Sequence, residues 1–173
     1  IAGNTSVPDT VHVVITAAGS IDLKGHRLSF DSRITVHPHA VFLNAPVENG
    51  VVFTAESCQG EVWADWWGAH HLAGAEVNVL AIRAAFHALP PGGHVRLGCG
   101  TFQVSQTIVV PDDRSLRGCG AKTVLESHIP MSGIAPRPLL YAPGAFTLTD
   151  LALTGSGIPA LPVVGPSCGV LGG

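Results

Sequence analysis

At 173 residues, with 46% hydrophobic and 12% charged, the chain is long enough for one domain with a real core or for a stretch of a larger repeat array. The charged share is about half the usual one, too little to cover an ordinary monomer, so much of the surface is expected to meet other protein. A net charge of −3 with nine scattered Lys and Arg excludes a nucleic-acid footprint, no apolar run approaches the roughly 18 residues of a membrane span, and 21 Gly with 13 Pro in no fixed period exclude collagen.

In chain order, residues 11–54 read as short strands broken by turns: VHVVIT, SIDLKG, HRLSFD, SRITVH, HAVFLN and GVVFTA. Apolar residues two apart with polar ones between them, as in Ile21/Leu23, Leu28/Phe30 and Ile34/Val36, give the period of a strand with one buried face. The strands start every seven to ten residues or so, which favours a sandwich or solenoid over βαβ units. The chain begins at Ile1 with no basic region ahead of an apolar one, and it is expected to be the ordered part of something longer.

Residues 77–89 break this pattern. Ile82, Ala85, Phe86 and Leu89 fall at i, i+3, i+4 and i+7, the stripe of an amphipathic helix. Asn78 is its expected N-cap, and Pro90-Pro91-Gly92-Gly93 ends it. Short strands then return at 94–98, 101–105, 107–111, 115–118, 123–127, 139–142, 146–155 and 169–171. One helix among many short strands suits a parallel β-helix, whose open end exposes core and strand edges and needs a cap.

Cys58, Cys99, Cys119 and Cys168 form no C-x-x-C pair, which argues against zinc and redox motifs. Buried free thiols are the expectation, although the 20-residue gap between Cys99 and Cys119 also fits two residues stacked on adjacent turns of a repeat.

From Trp66 to Leu125, about a third of the chain, the sequence resembles the start of the pectate-lyase-like right-handed parallel β-helix family, most closely its branch of phage tailspikes and capsule depolymerases. The motifs that carry the resemblance are Trp66-Trp67-Gly68-Ala69, Ala81-Ile82-Arg83-Ala84-Ala85-Phe86 and Gly92-Gly93. They continue as Val95-Arg96-Leu97-Gly98-Cys99-Gly100-Thr101-Phe102 and Leu116-Arg117-Gly118-Cys119-Gly120-Ala121-Lys122-Thr123-Val124-Leu125. The stretch at 21–31 resembles the small β segment that precedes this region in tailspikes. Where the family carries Gly-Asp-Gly and an Asp-Asp pair, this chain has HHLAGAEVN, so any role of those acids is not carried over.

The resemblance implies an all-β fold: the N-terminal rungs of a right-handed parallel β-helix (61–173), one capping α-helix (about 77–89) and a small preceding β segment (1–60). It gives Trp66, Trp67, Gly68, Asn78, Ile82, Phe86, Gly92 and Gly93 structural roles, with Trp66 and Trp67 packing the junction between the first segment and the helix. Trp faces also stack on sugars, so Trp63, Trp66 and Trp67 are the carbohydrate-binding candidates.

Two catalytic candidates emerge. Asp150 is expected to share one face of a strand with Leu148 and Ala152, on the side where polysaccharide lies in such folds. Arg117 is the candidate base for lyase chemistry. Asp112-Asp113 reads as a turn after Pro111. His37 with His39, and His70 with His71, fall short of a zinc ligand set; on a strand, His70 and His71 would point to opposite faces. No metal and no cofactor are expected.

The expected function is that of a phage tailspike or tail-fibre protein that recognises a bacterial surface polysaccharide, with its depolymerisation left open. This segment would be mainly structural, with the active site outside it. A homotrimer on the virion tail is implied, with phage tail or baseplate proteins as further partners and neither nucleic acid nor membrane insertion. A secreted bacterial polysaccharide lyase or hydrolase of the same fold and a non-catalytic adhesion or virion-anchoring module remain the alternatives.

Overall fold

The computed structural model describes residues 1–17, 19–36, 40–54, 56–130 and 137–155, together with the backbone of short strands at Val163–Val164 and Cys168–Val170. It is mostly strands in parallel sheets, with one α-helix among the described residues.

Six strands form two successive sets of three. The first set is β1 (Thr5–Val7), β2 (Val13–Ile15) and β3 (Ile21–Asp22); the second is β4 (Leu28–Phe30), β5 (Ile34–Val36) and β6 (Phe42–Leu43). After β7 (Val51–Phe53) and β8 (Glu61–Trp63) come a 3-10 turn at Ala64–Trp67 and the helix α1 (Ala75–Ala88). Next are β9 (His94–Arg96), β10 (Gly100–Val104), β11 (Ile108–Val109), β12 (Arg114–Arg117), β13 (Thr123–Ser127) and β14 (Leu140–Tyr141). The last are β15 (Phe146–Thr149), β16 (Ala152–Gly155), β17 (Val163–Val164) and β18 (Cys168–Val170).

Every pairing among these strands is parallel. The sheets are ordered β1-β4-β7, β2-β5, β3-β6, β10-β13-β16, β11-β14-β17 and β8-β9-β12-β15-β18. The register has nearly one step length. Thr5 pairs with Leu28 and Leu28 with Val51, 23 residues on; Val13 pairs with Ile34 and Ile21 with Phe42, 21 on. After the helix, His94 pairs with Ser115, 21 on, and Gly100 with Thr123, 23 on. The step lengthens to 33 between Glu61 and His94, where α1 is inserted, and to 32 between Ile108 and Leu140. Residues 1–54 thus pair in the same way as those after the helix.

Alternation fixes which side chains face inward. Leu28 and Phe30 on β4 and Val51 and Phe53 on β7 are all buried, and the Phe30 and Phe53 rings stack at 5.2 Å. One apolar cluster runs unbroken from Ile15 to Leu148.

The helix starts two residues before the predicted boundary, and its N-cap is Gly74 with no side-chain cap. Asn78 is therefore not the cap; it lies a turn inside and fully buried. Ile82 and Phe86 are likewise fully buried, and Ala81, Ala84, Ala85 and Ala88 widen the buried face. The small alanine side chains let α1 pack against β7 as well as β9, β10 and β11. At the other end, Arg114 Nη2 donates to the Leu89 carbonyl at 2.7 Å, satisfying a helix-end acceptor with a cation. No helix among the described residues is long and apolar enough to cross a membrane.

Two sequence expectations are corrected. Residues 146–155 are not one strand: Asp150 sits at φ 57° and splits them into β15 and β16, which belong to different sheets. Asp150 therefore does not share a strand face with Leu148 and Ala152. Cys99 and Cys119 are not free thiols but a disulfide, with Cα atoms 5.6 Å apart, because they follow neighbouring strands at one corner. Cys58 is a buried free thiol, and the Cys168 side chain lies outside the described residues.

Candidate functional site

The five-stranded sheet carries an ordered polar surface. Val62, Val95, Leu116 and Leu148 lie side by side across β8, β9, β12 and β15 and are buried. Because side chains alternate, their neighbours must face outward in two rows. One row is Glu61, His94, Ser115 and Thr147; the other is Trp63, Arg96, Arg117 and Thr149. None of these eight outward residues is fully buried.

Each row is cross-linked between strands. Arg96 Nη1 lies 3.3 Å from Glu61 Oε1, and its guanidinium carbon sits 4.7 Å from the centre of the Trp63 ring. Arg117 Nε donates to Asp150 Oδ2 at 3.0 Å. His94 Nδ1 and Ser115 Oγ are hydrogen-bonded neighbours. A groove of about 690 Å³ follows this face, lined by His94, Arg114, Ser115, Arg117, Thr147 and Thr149 among others. Arg114 is held by the Leu89 and Asp112 carbonyls, and burial pulls its pKa below the usual arginine value.

The structure therefore brings the two predicted catalytic candidates together, as an exposed ion pair. The pair presents a guanidinium beside hydroxyls rather than two opposed carboxylates, an arrangement suited to binding polar or anionic groups. The Asp112-Asp113 segment is a turn, with Asp113 at φ 56° and its carbonyl accepting the Gly92 amide at 2.7 Å.

The three tryptophans separate. Trp63 is half-buried on the outer face with Arg96 over its ring. Trp66 is buried and Trp67 half-buried in a cluster with Phe42 and Phe53, where Trp67 lies 5.2 Å from Phe42 and Trp66 6.1 Å from Phe53. Gly68 closes the turn that carries them in a left-handed conformation (φ 93°), its amide donating to the Asp65 carbonyl at 2.9 Å. Gly92, also left-handed at φ 80°, and the buried Gly93 join α1 to β9.

His70 and His71 lie in a turn rather than a strand, and contrary to expectation their rings meet, with centres 4.1 Å apart. His37 and His39 fall outside the described residues. Among the described residues, no group of three His, Cys, Asp or Glu is arranged to hold a metal ion.

Sequence reasoning missed Asp65. Burial pushes its carboxyl above the ordinary value of 3.8, opposed by His70, His71 and the Gly98 amide. Its Oδ1 is buried and takes no hydrogen bond from the described residues. A carboxyl whose folded pKa is raised binds its proton more tightly in the folded chain, so stability is lost as pH rises from 3.8 through the folded value. Asp65→Asn, which cannot ionise, is expected to melt at a higher temperature than the parent above that window and to lack the decline. Parallel pH profiles of the two melting temperatures would exclude an ionising Asp65.

The remaining members of the two rows were also missed. Each stands alone in its own strand, and only the register steps of 33, 21 and 32 residues bring them side by side. Compared with known proteins, the chain matches no family model, no curated protein and no solved structure.

Proposed function

We propose that the chain is part of a right-handed parallel β-helix protein of the tailspike or tail-fibre type, and that the outer face of its five-stranded sheet contacts a bacterial surface polysaccharide. The observation that carries this reading is the pair of polar rows, with Trp63, Arg96, Arg117 and Thr149 in register across four strands and a groove at the Arg117–Thr149 end of that row. An aromatic face flanked by guanidinium and hydroxyl donors offers both the apolar and the polar contacts a sugar chain needs.

The recurring 21- to 23-residue step between parallel strands supports a coil of three strands per turn, with residues 1–60 as opening turns and 61–173 as their continuation. The right hand follows from the strong bias of parallel crossovers. The low charge and an exposed apolar pair, Val109 and Tyr141, adjacent on β11 and β14, support side-by-side packing of three chains on a virion tail, joined to other tail or baseplate proteins. In the whole protein, cleavage of the polysaccharide belongs to residues beyond this face.

The test is binding of the full-length trimer to purified capsule or O-antigen, with sedimentation giving the mass of three chains. Trp63→Ala and Arg117→Ala are each expected to weaken binding about tenfold while leaving the circular dichroism unchanged, the loss of one stacking or one charged contact. Unchanged affinity in both variants would remove this face from the function and leave the anchoring-module reading.

The Cys99–Cys119 disulfide favours a second reading, a secreted polysaccharide lyase or hydrolase, since such bonds persist in oxidising compartments. Cleavage of a plant or algal polyuronate, with no binding to bacterial capsule, would select it.

A further inference from the structure

Two tripeptides of the same composition, Gly98-Cys99-Gly100 and Gly118-Cys119-Gly120, follow β9 and β12. Those strands are neighbours: Arg96 pairs with Arg117, and the Leu97 amide donates to the Arg117 carbonyl at 2.8 Å. The tripeptides are therefore stacked at one corner, with Cys99 exposed, Cys119 half-buried and their sulfurs bonded.

The bond is not all that holds this corner together. Thr123 is fully buried, and its hydroxyl accepts the Cys119 amide at 2.8 Å and donates to the Gly98 carbonyl at 2.8 Å. One side chain thus ties the same two tripeptides that the disulfide ties. Gly118 makes room for it: a Cβ there would stand 2.7 Å from Thr123 Cβ and 2.2 Å from the Asp150 carbonyl oxygen. The same hydroxyl lies 3.3 Å from Cys119 Sγ.

We propose that Cys99–Cys119 is a reversible thiol–disulfide exchange site for external dithiols, attacked at Cys99, with Thr123 as the positioning residue that keeps the two reduced cysteines within bonding distance. A thiolate of the dithiol attacks the exposed Cys99 Sγ. A mixed disulfide forms, the Cys99–Cys119 bond breaks, and its electron pair leaves on Cys119 Sγ, 3.3 Å from the Thr123 hydroxyl oxygen. The second thiol of the dithiol displaces Cys99, so the dithiol is oxidised by two electrons to its disulfide and both cysteines take up protons. In the reverse direction, Thr123 holds the Cα atoms near 5.6 Å, a spacing that suits a disulfide. The chain can then reach its register with both thiols reduced and close the staple on meeting an oxidising environment. Cys58 serves as the internal reference, because burial raises its pKa and its thiol points to the Thr54 carbonyl.

The test equilibrates the whole chain in reduced and oxidised dithiothreitol, alkylates free thiols and maps them by mass spectrometry; glutathione is used separately to trap the mixed disulfide. Cys99 and Cys119 are expected to titrate together as one couple, with glutathione captured on Cys99 and Cys58 unpaired throughout. Thr123→Val is expected to lower the equilibrium constant for closure about tenfold, the loss of a buried hydrogen bond, and Thr123→Ser to restore it. Should Thr123→Val fail to fold, the glutathione capture on the parent chain and the Thr123→Ser titration still decide. A bond from either cysteine to Cys58 or Cys168, glutathione on Cys119, or a closure constant unaffected by Thr123→Val would overturn the proposal.

Discussion

Phe53→Ala is expected to lower stability by about 4 kcal/mol, near the upper end for truncating a buried aromatic ring. The Phe53 ring stacks on Phe30 at 5.2 Å and meets Phe42, Trp66 and Trp67 at 6.2, 6.1 and 6.4 Å, so four aromatic rings border the space it would vacate. Those neighbours are poorly placed to collapse into it. The Trp66 carbonyl accepts the Val41 amide at 2.9 Å, and the turn behind it is closed by Gly68. Phe53 also lies on β7, which packs against α1, so the cavity would open where the strands of residues 1–54 meet the helix. Urea denaturation with an unchanged slope would measure the loss, and Phe53→Leu should recover more than half of it. Leu72→Ala, at a side chain 81% exposed, should stay within about 0.5 kcal/mol. A loss for Phe53→Ala below about 1.5 kcal/mol would mean that the cluster repacks and is not a fixed seam.

The strands were legible wherever an apolar residue recurs at every second position, as in Leu28/Phe30 and Val95/Leu97, because burying one face of a sheet demands that period. The helix was legible from Ile82, Ala85, Phe86 and Leu89 for the same reason at a different period. The register was not legible. Paired strands share a burial pattern but little sequence, so nothing in Glu61, His94, Ser115 or Thr147 marks them as neighbours on one face. The turn at Asp150 was hidden for a local reason: an aspartate tolerates the left-handed region, so a single residue turned the chain without the Gly or Pro that announces a corner. Its partner Arg117 was singled out independently, yet their contact depends on a corner the sequence does not signal. The cysteine gap of 20 residues was compatible with stacking, but choosing between a bond and two thiols needed the 21-residue step between β9 and β12.

Asn78 shows how a correct residue can be given the wrong work, and its replacement should reveal which role it plays. Asn78→Ala is expected to cost about 3 kcal/mol, because it empties a fully buried site and strips partners from half-buried backbone groups on both sides of the helix. Asn78 Oδ1 accepts the His70 amide at 2.9 Å, while Nδ2 donates to the Gln103 carbonyl at 3.1 Å and lies 3.5 Å from that of Ala73. The side chain therefore joins the turn after the tryptophans, the first part of α1 and β10. An N-cap would contribute about 1 kcal/mol, felt only in the first turn of the helix. A clasp predicts the larger loss, together with faster hydrogen exchange at the His70 amide, which lies outside the helix. Asn78→Asp separates the two contacts: its carboxylate keeps the acceptor for His70 but sets negative charge against the Gln103 and Ala73 carbonyls. It should fail to rescue the alanine variant near neutral pH, and it should improve as the pH falls and the acid takes up the proton that replaces the lost donor. Equal stability of the aspartate and asparagine forms at neutral pH would show that the Gln103 contact contributes nothing and reduce Asn78 to a single bond with His70.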